Sequence, residues 1–196
     1  NMSVDVYVES VISEARLVVV RLLGGAGYWP YGVERIAETC RAGGIALAML
    51  PGDDQPDAEL ARLSTLPPEA CHRLWQFAVH GGAANACNML AYAATLIGSD
   101  AEWREPAPLL RAGLYWPGMA EPDVDGLRTQ WRDDAPVAAL VFYRALVQAG
   151  DLAPIEAMIE ALQDAGLNPL PVYLHSLKEP VSAATVARLF TAAPPD

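Results

Sequence analysis

Several things that would assign this chain to a broad functional class are missing from it. Cysteine is scarce: Cys40, Cys71 and Cys87 are an odd number at wide spacings, with no CxxC pair, which excludes a disulfide framework and leaves reduced, buried thiols as the expectation. No apolar run approaches the roughly 18 to 20 residues that span a bilayer. The N-terminus lacks the basic and apolar regions of a secretory signal, so a cytoplasmic protein is expected. Basic charge is in deficit, with 13 Lys and Arg against 24 Asp and Glu and a formal net charge of −11. That balance repels nucleic acid phosphates and anionic lipid headgroups and excludes both as partners. There is no GxxxxGK[ST] loop for ATP and no GxSxG elbow for a hydrolytic serine. Gly24, Gly25 and Gly27 do not complete GxGxxG, because Pro30 stands in the last glycine's place and no acidic residue caps the second expected strand.

What is present is unusually apolar. Of 196 residues, 53% are hydrophobic and 19% charged, with a mean hydropathy of +0.17. That is enough for one good core, or one core and a small subdomain, with apolar surface left to lie against other protein. Carboxylates are spread rather than bunched, as on a solvated surface. Asn1 is not an initiator residue, and the sequence stops after a helix where a doubly wound sheet would supply its next strand, so a piece of something longer is expected.

The most informative stretch is 17–36, LVVVRLLGGAGYWPYGVERI. A run of branched apolar residues ending in glycines reads as a parallel strand covered on both faces, and helical spacing follows it. A helix is expected before it, over Met2 to Ala15. After it come a helix over Gly32 to Ala42 that stops at Gly43-Gly44, and a second buried strand over Ile45 to Leu50. Strand, helix and strand make a βαβ unit. Helical patterns cover Asp57 to Leu63, Pro68 to Val79 and Ala83 to Ile97, the last reading as buried nearly all round. Residues 99–136 hold five prolines and Trp103, Trp116 and Trp131, and read as an extended insertion with one strand at Ala112 to Trp116. A third strand over Val137 to Phe142, a helix over Tyr143 to Ala165 interrupted at Gly150-Asp151, a turn at Gly166 to Pro169, a fourth strand over Leu170 to Leu174 and a final helix over Val181 to Phe190 complete the pattern. The expectation is one α/β domain over 1–196. Its core is an open, mostly parallel, doubly wound sheet of Rossmann or flavodoxin type, carrying a helical and Pro/Trp-rich insertion over 56–136.

In such sheets small molecules bind beyond the carboxyl ends of the strands. The candidate substrate-binding residues are therefore Gly24 and Gly25, the aromatics Tyr28, Trp29 and Tyr31, and Arg144, His175 and Ser176, which follow the third and fourth strands. The aromatics read either as a loop packed over the sheet edge or as flat faces for a planar ligand. Arg144 has the fork of donors that clamps a carboxylate. His175 reads as a base, a metal ligand or a strand-end hydrogen-bond donor. Asp53-Asp54 suits a turn. Cys71-His72, His80 and Cys87 lie near one another in sequence but match no zinc-ligand spacing, so packing is expected and no metal site.

The segments VVVRLLGGAGYWPYGVERI, IALAMLPGDDQPDAEL, STLPPEA, HGGAANACNML, RAGLYWPG and YRALVQAGDLAPIEAMIEALQDAGLNPLPVYLHSLKEP resemble the N-terminal part of the large subunits of aerobic cobaltochelatase. Those subunits belong with the porphyrin-binding H subunit of magnesium chelatase. The resemblance runs from about Leu17 to Pro180. It implies a part in ATP-dependent insertion of Co2+ into hydrogenobyrinic acid a,c-diamide during aerobic cobalamin biosynthesis, a metal–nitrogen bond-forming ligase reaction. The partners it implies are that corrinoid, the remainder of the large subunit and two separate ATPase-motor subunits. It also implies that Co2+ and ATP-Mg are used by the full complex, with no cofactor bound by this part.

Insertion requires removing ring protons and stripping water from the metal, tasks for carboxylates and imidazoles in a closed cavity. With only three histidines, this part is expected to contribute corrinoid binding rather than catalysis, and to be inactive alone. The catalytic residues are not identified. Its negative charge opposes a polycarboxylate ligand at long range, and Arg21, Arg111 and Arg144 are the cations available to offset it. The rival reading is an interaction or scaffold module that docks the motor subunits or the rest of the large subunit, favoured by the apolar excess and the tryptophans. A third is a free-standing small-molecule binding protein.

Overall fold

In the computed structural model, which describes residues 2–196, the chain forms two compact units that divide between Ala107 and Pro108. The first unit opens with helix α1 (Met2–Ser10) and a single 3-10 turn, followed by β1 (Leu17–Leu22), α2 (Pro30–Gly43) and β2 (Ala46–Pro51). Strands β1 and β2 are parallel, in register from Leu17 opposite Ala46 to Leu22 opposite Pro51. Alternate residues of β2 face opposite ways. Leu47 and Met49 pack with Val33, Ile36 and Cys40 of α2 and Val8 of α1. Ala48 and Leu50 pack with Leu74 and Phe77 of α4 (Pro68–His80) and Tyr92 of α5 (Ala83–Thr95). Both faces are covered, as the unbroken apolar run predicts.

The short helix α3 (Ala58–Leu63) is capped by Asp57, whose Oδ1 accepts from the N–H groups of Glu59 and Leu60. It delivers Ser64 and Thr65 to the outer edge of β2. There Thr65 Oγ1 accepts from Leu47 N at 2.7 Å and Ser64 Oγ from Met49 N at 2.9 Å, while Thr65 N donates to Leu47 O. The strand edge is thus closed by side-chain hydroxyls and a short stretch of loop.

The second unit carries β3 (Ala112–Leu114), α6 (Val124–Arg128), β4 (Val137–Tyr143), α7 (Arg144–Ala149), α8 (Ala153–Asp164), β5 (Asn168–Leu174) and α9 (Pro180–Ala192). The sheet order is β3-β5-β4, with β4 parallel and β3 antiparallel to β5. Every residue of β5 is buried, and Leu170 and Val172 sit at the centre of the core with Leu127, Ile155 and Ile159.

Four expectations from the sequence are corrected. The strands do not form one doubly wound sheet; they form a parallel pair and a mixed three-stranded sheet, one in each unit. Buried apolar runs identify strands but do not say which strands lie side by side. The stretch 56–136 is likewise not one insertion in structural terms, since its helices α3 to α5 complete the core of the first unit, while β3 and α6 belong to the second. Helix α5 is not buried all round, because Ala83, Ala86, Cys87 and Leu90 are exposed along one face.

The fourth concerns Asn168 and Pro169, which open β5 rather than ending a turn. A central strand tolerates prolines here because Pro169 and Pro171 turn their missing donors toward β3, which pairs only with 172–174. Their carbonyls remain satisfied: Pro169 O accepts from Trp131 Nε1 and Pro171 O from Tyr115 N. Asn168 is 5% exposed and stitches the approach to β4, accepting from Arg132 N and donating to the carbonyls of Arg132 and Ala135. No helix among the described residues is long and apolar enough to cross a membrane.

Candidate functional site

The glycine corner lies at the carboxyl end of β1. Gly24 and Gly25 have φ of +91° and +75°, a left-handed stretch that side-chain-bearing residues resist, and a Cβ on Gly25 would stand 3.1 Å from Asp57 Oδ2. The corner is held by its own bonds. Gly52 N donates to Leu22 O, Arg21 Nη2 donates to Gly52 O, and Trp75 Nε1 donates to Asp53 O at 3.0 Å. Asp53 also accepts from Gln55 N, the turn role expected of it.

The three aromatics of the corner differ in use. Tyr28 is 79% exposed. Trp29 lies flat on the first turn of α2, where a Cβ on Gly32 would come within 2.1 Å of its ring. Tyr31 donates its hydroxyl to Asp5 Oδ1 at 2.5 Å, with Arg35 Nε 3.3 Å from the same oxygen. The Tyr31 bond, with smaller help from Arg35, holds the Asp5 carboxyl below the usual range, and Asp5 in turn raises the Tyr31 phenol. Only Tyr28 of the three offers a largely open face.

The remaining predicted residues belong to the other unit and the other sheet, so the shared rim expected from a single sheet is not built from one set of strands. Arg144 is 6% exposed at the junction of β4 and α7, and its Nε and Nη2 donate to Leu110 O and Leu109 O at 2.8 and 2.9 Å. It pins the entry to β3. His175 is exposed just past β5, where its backbone N–H donates to Arg111 O, and Ser176 Oγ accepts from Lys178 N in the turn before α9. Next to them, the fully buried Ser182 donates to Glu179 Oε2, which pairs with Arg111 across 3.7 Å.

Of the thiols, Cys40 and Cys71 are buried, and burial raises both above the ordinary range. Cys87 is exposed, against the expectation that all three would be buried. His72 packs at a tilt of 46° against Trp75, with ring centroids 5.5 Å apart. Among the described residues no three His, Cys, Asp or Glu side chains stand close enough to hold a metal ion together.

A groove of about 1070 Å³ lies wholly within the second unit, and its lining includes Leu110, Leu114, Tyr115, Tyr173, Arg188 and Leu189. That volume is just above the range of about 300–1,000 Å³ usual for small-molecule sites. Its lining mixes apolar and aromatic surface with charge of both signs, Asp123 and Asp125 beside Arg128 and Arg188. Tyr115 is fixed by donating to Glu156 Oε1 at 2.5 Å; burial, aided by that carboxylate, pushes its phenol up to about 12. Arg144 connects to this groove indirectly, because the carbonyls it holds belong to Leu109 and Leu110 on the rim. Sequence reading singled out the apolar run at 112–116 as a strand but had no signal that it would wall a cavity with Tyr173. Those two segments are 60 residues apart and meet only through antiparallel pairing.

Known proteins resemble this chain in sequence and in fold. A family profile described as CobN/Magnesium Chelatase matches residues 75–196. The aerobic cobaltochelatase subunit CobN of Pseudomonas aeruginosa is 44% identical over 187 residues, covering 95% of this chain and 15% of its own length. The protein of the same name from Sinorhizobium sp. is 41% identical over 208 residues, covering 100% of this chain and 16% of its own length. Among solved structures, the catalytic subunit of cobaltochelatase from Mycobacterium tuberculosis superposes with a TM-score of 0.69 at 29% identity, over 94% of this chain and 14% of that one. This chain therefore spans about a sixth of the curated relatives it matches.

Proposed function

Because this chain belongs to the CobN/magnesium chelatase family, we propose that it is part of the large subunit of an ATP-dependent cobaltochelatase. That enzyme inserts Co2+ into hydrogenobyrinic acid a,c-diamide in aerobic cobalamin biosynthesis, alongside two ATPase-motor subunits. The observation that carries the reading is the 44% identity sustained over 95% of the chain with a protein of that name. Within the large subunit this portion offers binding surface rather than insertion chemistry. The reaction must take protons from ring nitrogens and strip water from the metal, and both steps need basic side chains gathered around the macrocycle. The groove walls combine apolar and aromatic faces with Arg128 and Arg188, suited to the flank and peripheral carboxylates of a corrinoid; no histidine is among the lining residues, and the acids Glu121, Asp123 and Asp125 oppose those carboxylates.

Arg144 acts here as a positioning residue. Its charge is 6% exposed and committed to two rim carbonyls, so the exposed Arg188 is the better carboxylate partner. Titrating the chain with hydrogenobyrinic acid a,c-diamide while following tryptophan fluorescence tests this. Micromolar binding that weakens at least about tenfold in Arg188→Glu and is unchanged in Tyr28→Ala supports the groove; a tenfold change corresponds to about 1.4 kcal/mol. Binding lost in Tyr28→Ala and kept in Arg188→Glu moves the site to the glycine corner. No binding overturns substrate contact.

A second reading, a docking module for the other subunits, is favoured by one observation. The exposed face of α5 is apolar, with Leu90 73% exposed beside Ala83, Ala86 and Cys87. Capture of the ATPase subunits that is lost in Leu90→Glu, with no corrinoid binding, supports that reading instead.

A further inference from the structure

The backbone of β4 divides into two rows. Asn168 N donates to Pro136 O, and in a parallel ladder this fixes the even-numbered residues of β4 as those bonded to β5. The odd-numbered residues 137, 139 and 141 therefore turn their N–H and C=O groups away from the sheet. Strand β4 is the last in the order β3-β5-β4, so among the described residues this row has no strand beside it. Ala139 and Val141 are exposed, Val141 to 46%. A long edge with open donors and apolar side chains is a surface that proteins ordinarily cover.

One position on that edge is already engaged. Asp196 N donates to Val137 O at 3.0 Å, and Val137 N donates to the Asp196 side chain at 2.9 Å. The pattern gives a direction. Parallel pairing places the Asp196 N–H on Val137 O, as seen here, and asks the Asp196 carbonyl to accept from Ala139 N. That bond is not formed among the described residues and is expected once the residues after Asp196 hold it in a strand. Antiparallel pairing would instead put the Val137 N–H on the Asp196 carbonyl, and here the side chain takes it. The next parallel donors and acceptors in line are those of Ala139 and Val141.

We infer that in the full-length large subunit the polypeptide following Asp196 runs as a strand parallel to β4 and completes the sheet along its outer edge. The inference rests on this chain being part of a longer subunit, of which it spans 15% and 16% in two relatives. It does not depend on corrinoid binding. A strand there reverses the strand order: the chain passes from β5 through α9 to the far side of β4. The crevice where parallel strands part in this way is the position at which open α/β sheets bind ligands, and it lies beyond Tyr143, next to Arg144.

Residue-resolved amide hydrogen exchange in the purified full-length large subunit, compared with the 196-residue chain, tests the inference. The amides of Ala138, Leu140 and Phe142, bonded to β5, serve as the reference in the same strand. Those of Ala139 and Val141 are expected to exchange at least about a hundredfold more slowly in the full-length subunit than in the chain alone. Deleting about six residues after Asp196, a usual strand length, is expected to return them to fast exchange without changing the reference amides. Fast exchange of Ala139 and Val141 in the full-length subunit overturns the inference even if the shorter chain does not fold. Protection that survives the deletion, or that appears only as protein concentration rises, also overturns it, the latter in favour of a second copy on the edge.

Discussion

On β2 the outward N–H groups of Leu47 and Met49 are taken by the hydroxyls of Thr65 and Ser64 at 2.7 and 2.9 Å, whereas on β4 the equivalent groups of Ala139 and Val141 have no strand beside them among the described residues. Both strands are short, parallel to a single neighbour and rich in apolar residues. The difference lies in what comes next in the chain. After β2, the capped helix α3 turns back within about a dozen residues and lays Ser64 and Thr65 on the edge. After β4, α7 and α8 lead away to β5 on the inner side, and the outer side receives only Asp196 at Val137. The outer edge of β2 is thus closed by residues that follow it closely in the chain, whereas the outer edge of β4 is the one to which we assign the polypeptide after Asp196.

The strongest way to break this comparison is to unseal β2. Ser64→Ala with Thr65→Val removes both acceptors from buried N–H groups, and each unmade bond costs about 1–3 kcal/mol. The double variant is expected to lose ~2–6 kcal/mol, read by urea denaturation, and to speed amide exchange at Leu47 and Met49. Stability within ~0.5 kcal/mol of the parent would show that the hydroxyls do not close the edge. The matching change on β4 is Asp196→Ala, which removes one exposed acceptor and is expected to cost under about 1 kcal/mol. A larger loss would mean that β4 depends on that single contact.

A smaller effect separates the units by pH. Tyr31 and Arg35 lower the Asp5 carboxyl in the folded state, so Asp5 adds stability above its unfolded titration range, and that contribution fades as pH falls through the depressed folded value. Asp5→Asn is expected to lower the urea midpoint near neutral pH and to converge with the parent in acid. A constant gap between pH 7 and the acid limb would rule out the Asp5–Tyr31 contact as its cause.

The elements of this fold are legible in sequence to the extent that they are local. The runs at 17–22, 46–51 and 137–143 are strands because branched apolar residues crowd them, and the break at Gly150-Asp151 does divide two helices. Lateral pairing is not local. Nothing in LVVVRL or VAALVFY says that the two strands lie in different sheets, and that single fact separates the glycine corner from Arg144 and His175 in the strand order. Arg144 shows a second limit: an arginine after a strand reads as a ligand clamp until its donors are found on Leu109 O and Leu110 O. Asn168 shows a third, since Asn-Pro signals a turn locally but here starts a strand whose side-chain bonds reach the 132–135 loop.

The prolines of β5 carry a consequence for solubility. If the three-residue β3 peeled away, the flank of β5 it exposes would offer a single backbone donor, Tyr173, between Pro169, Pro171 and the strand's end. A neighbouring molecule seeking to dock there in fibril-like fashion would find several acceptors but one donor, so the most buried strand of this unit is a poor template for self-association.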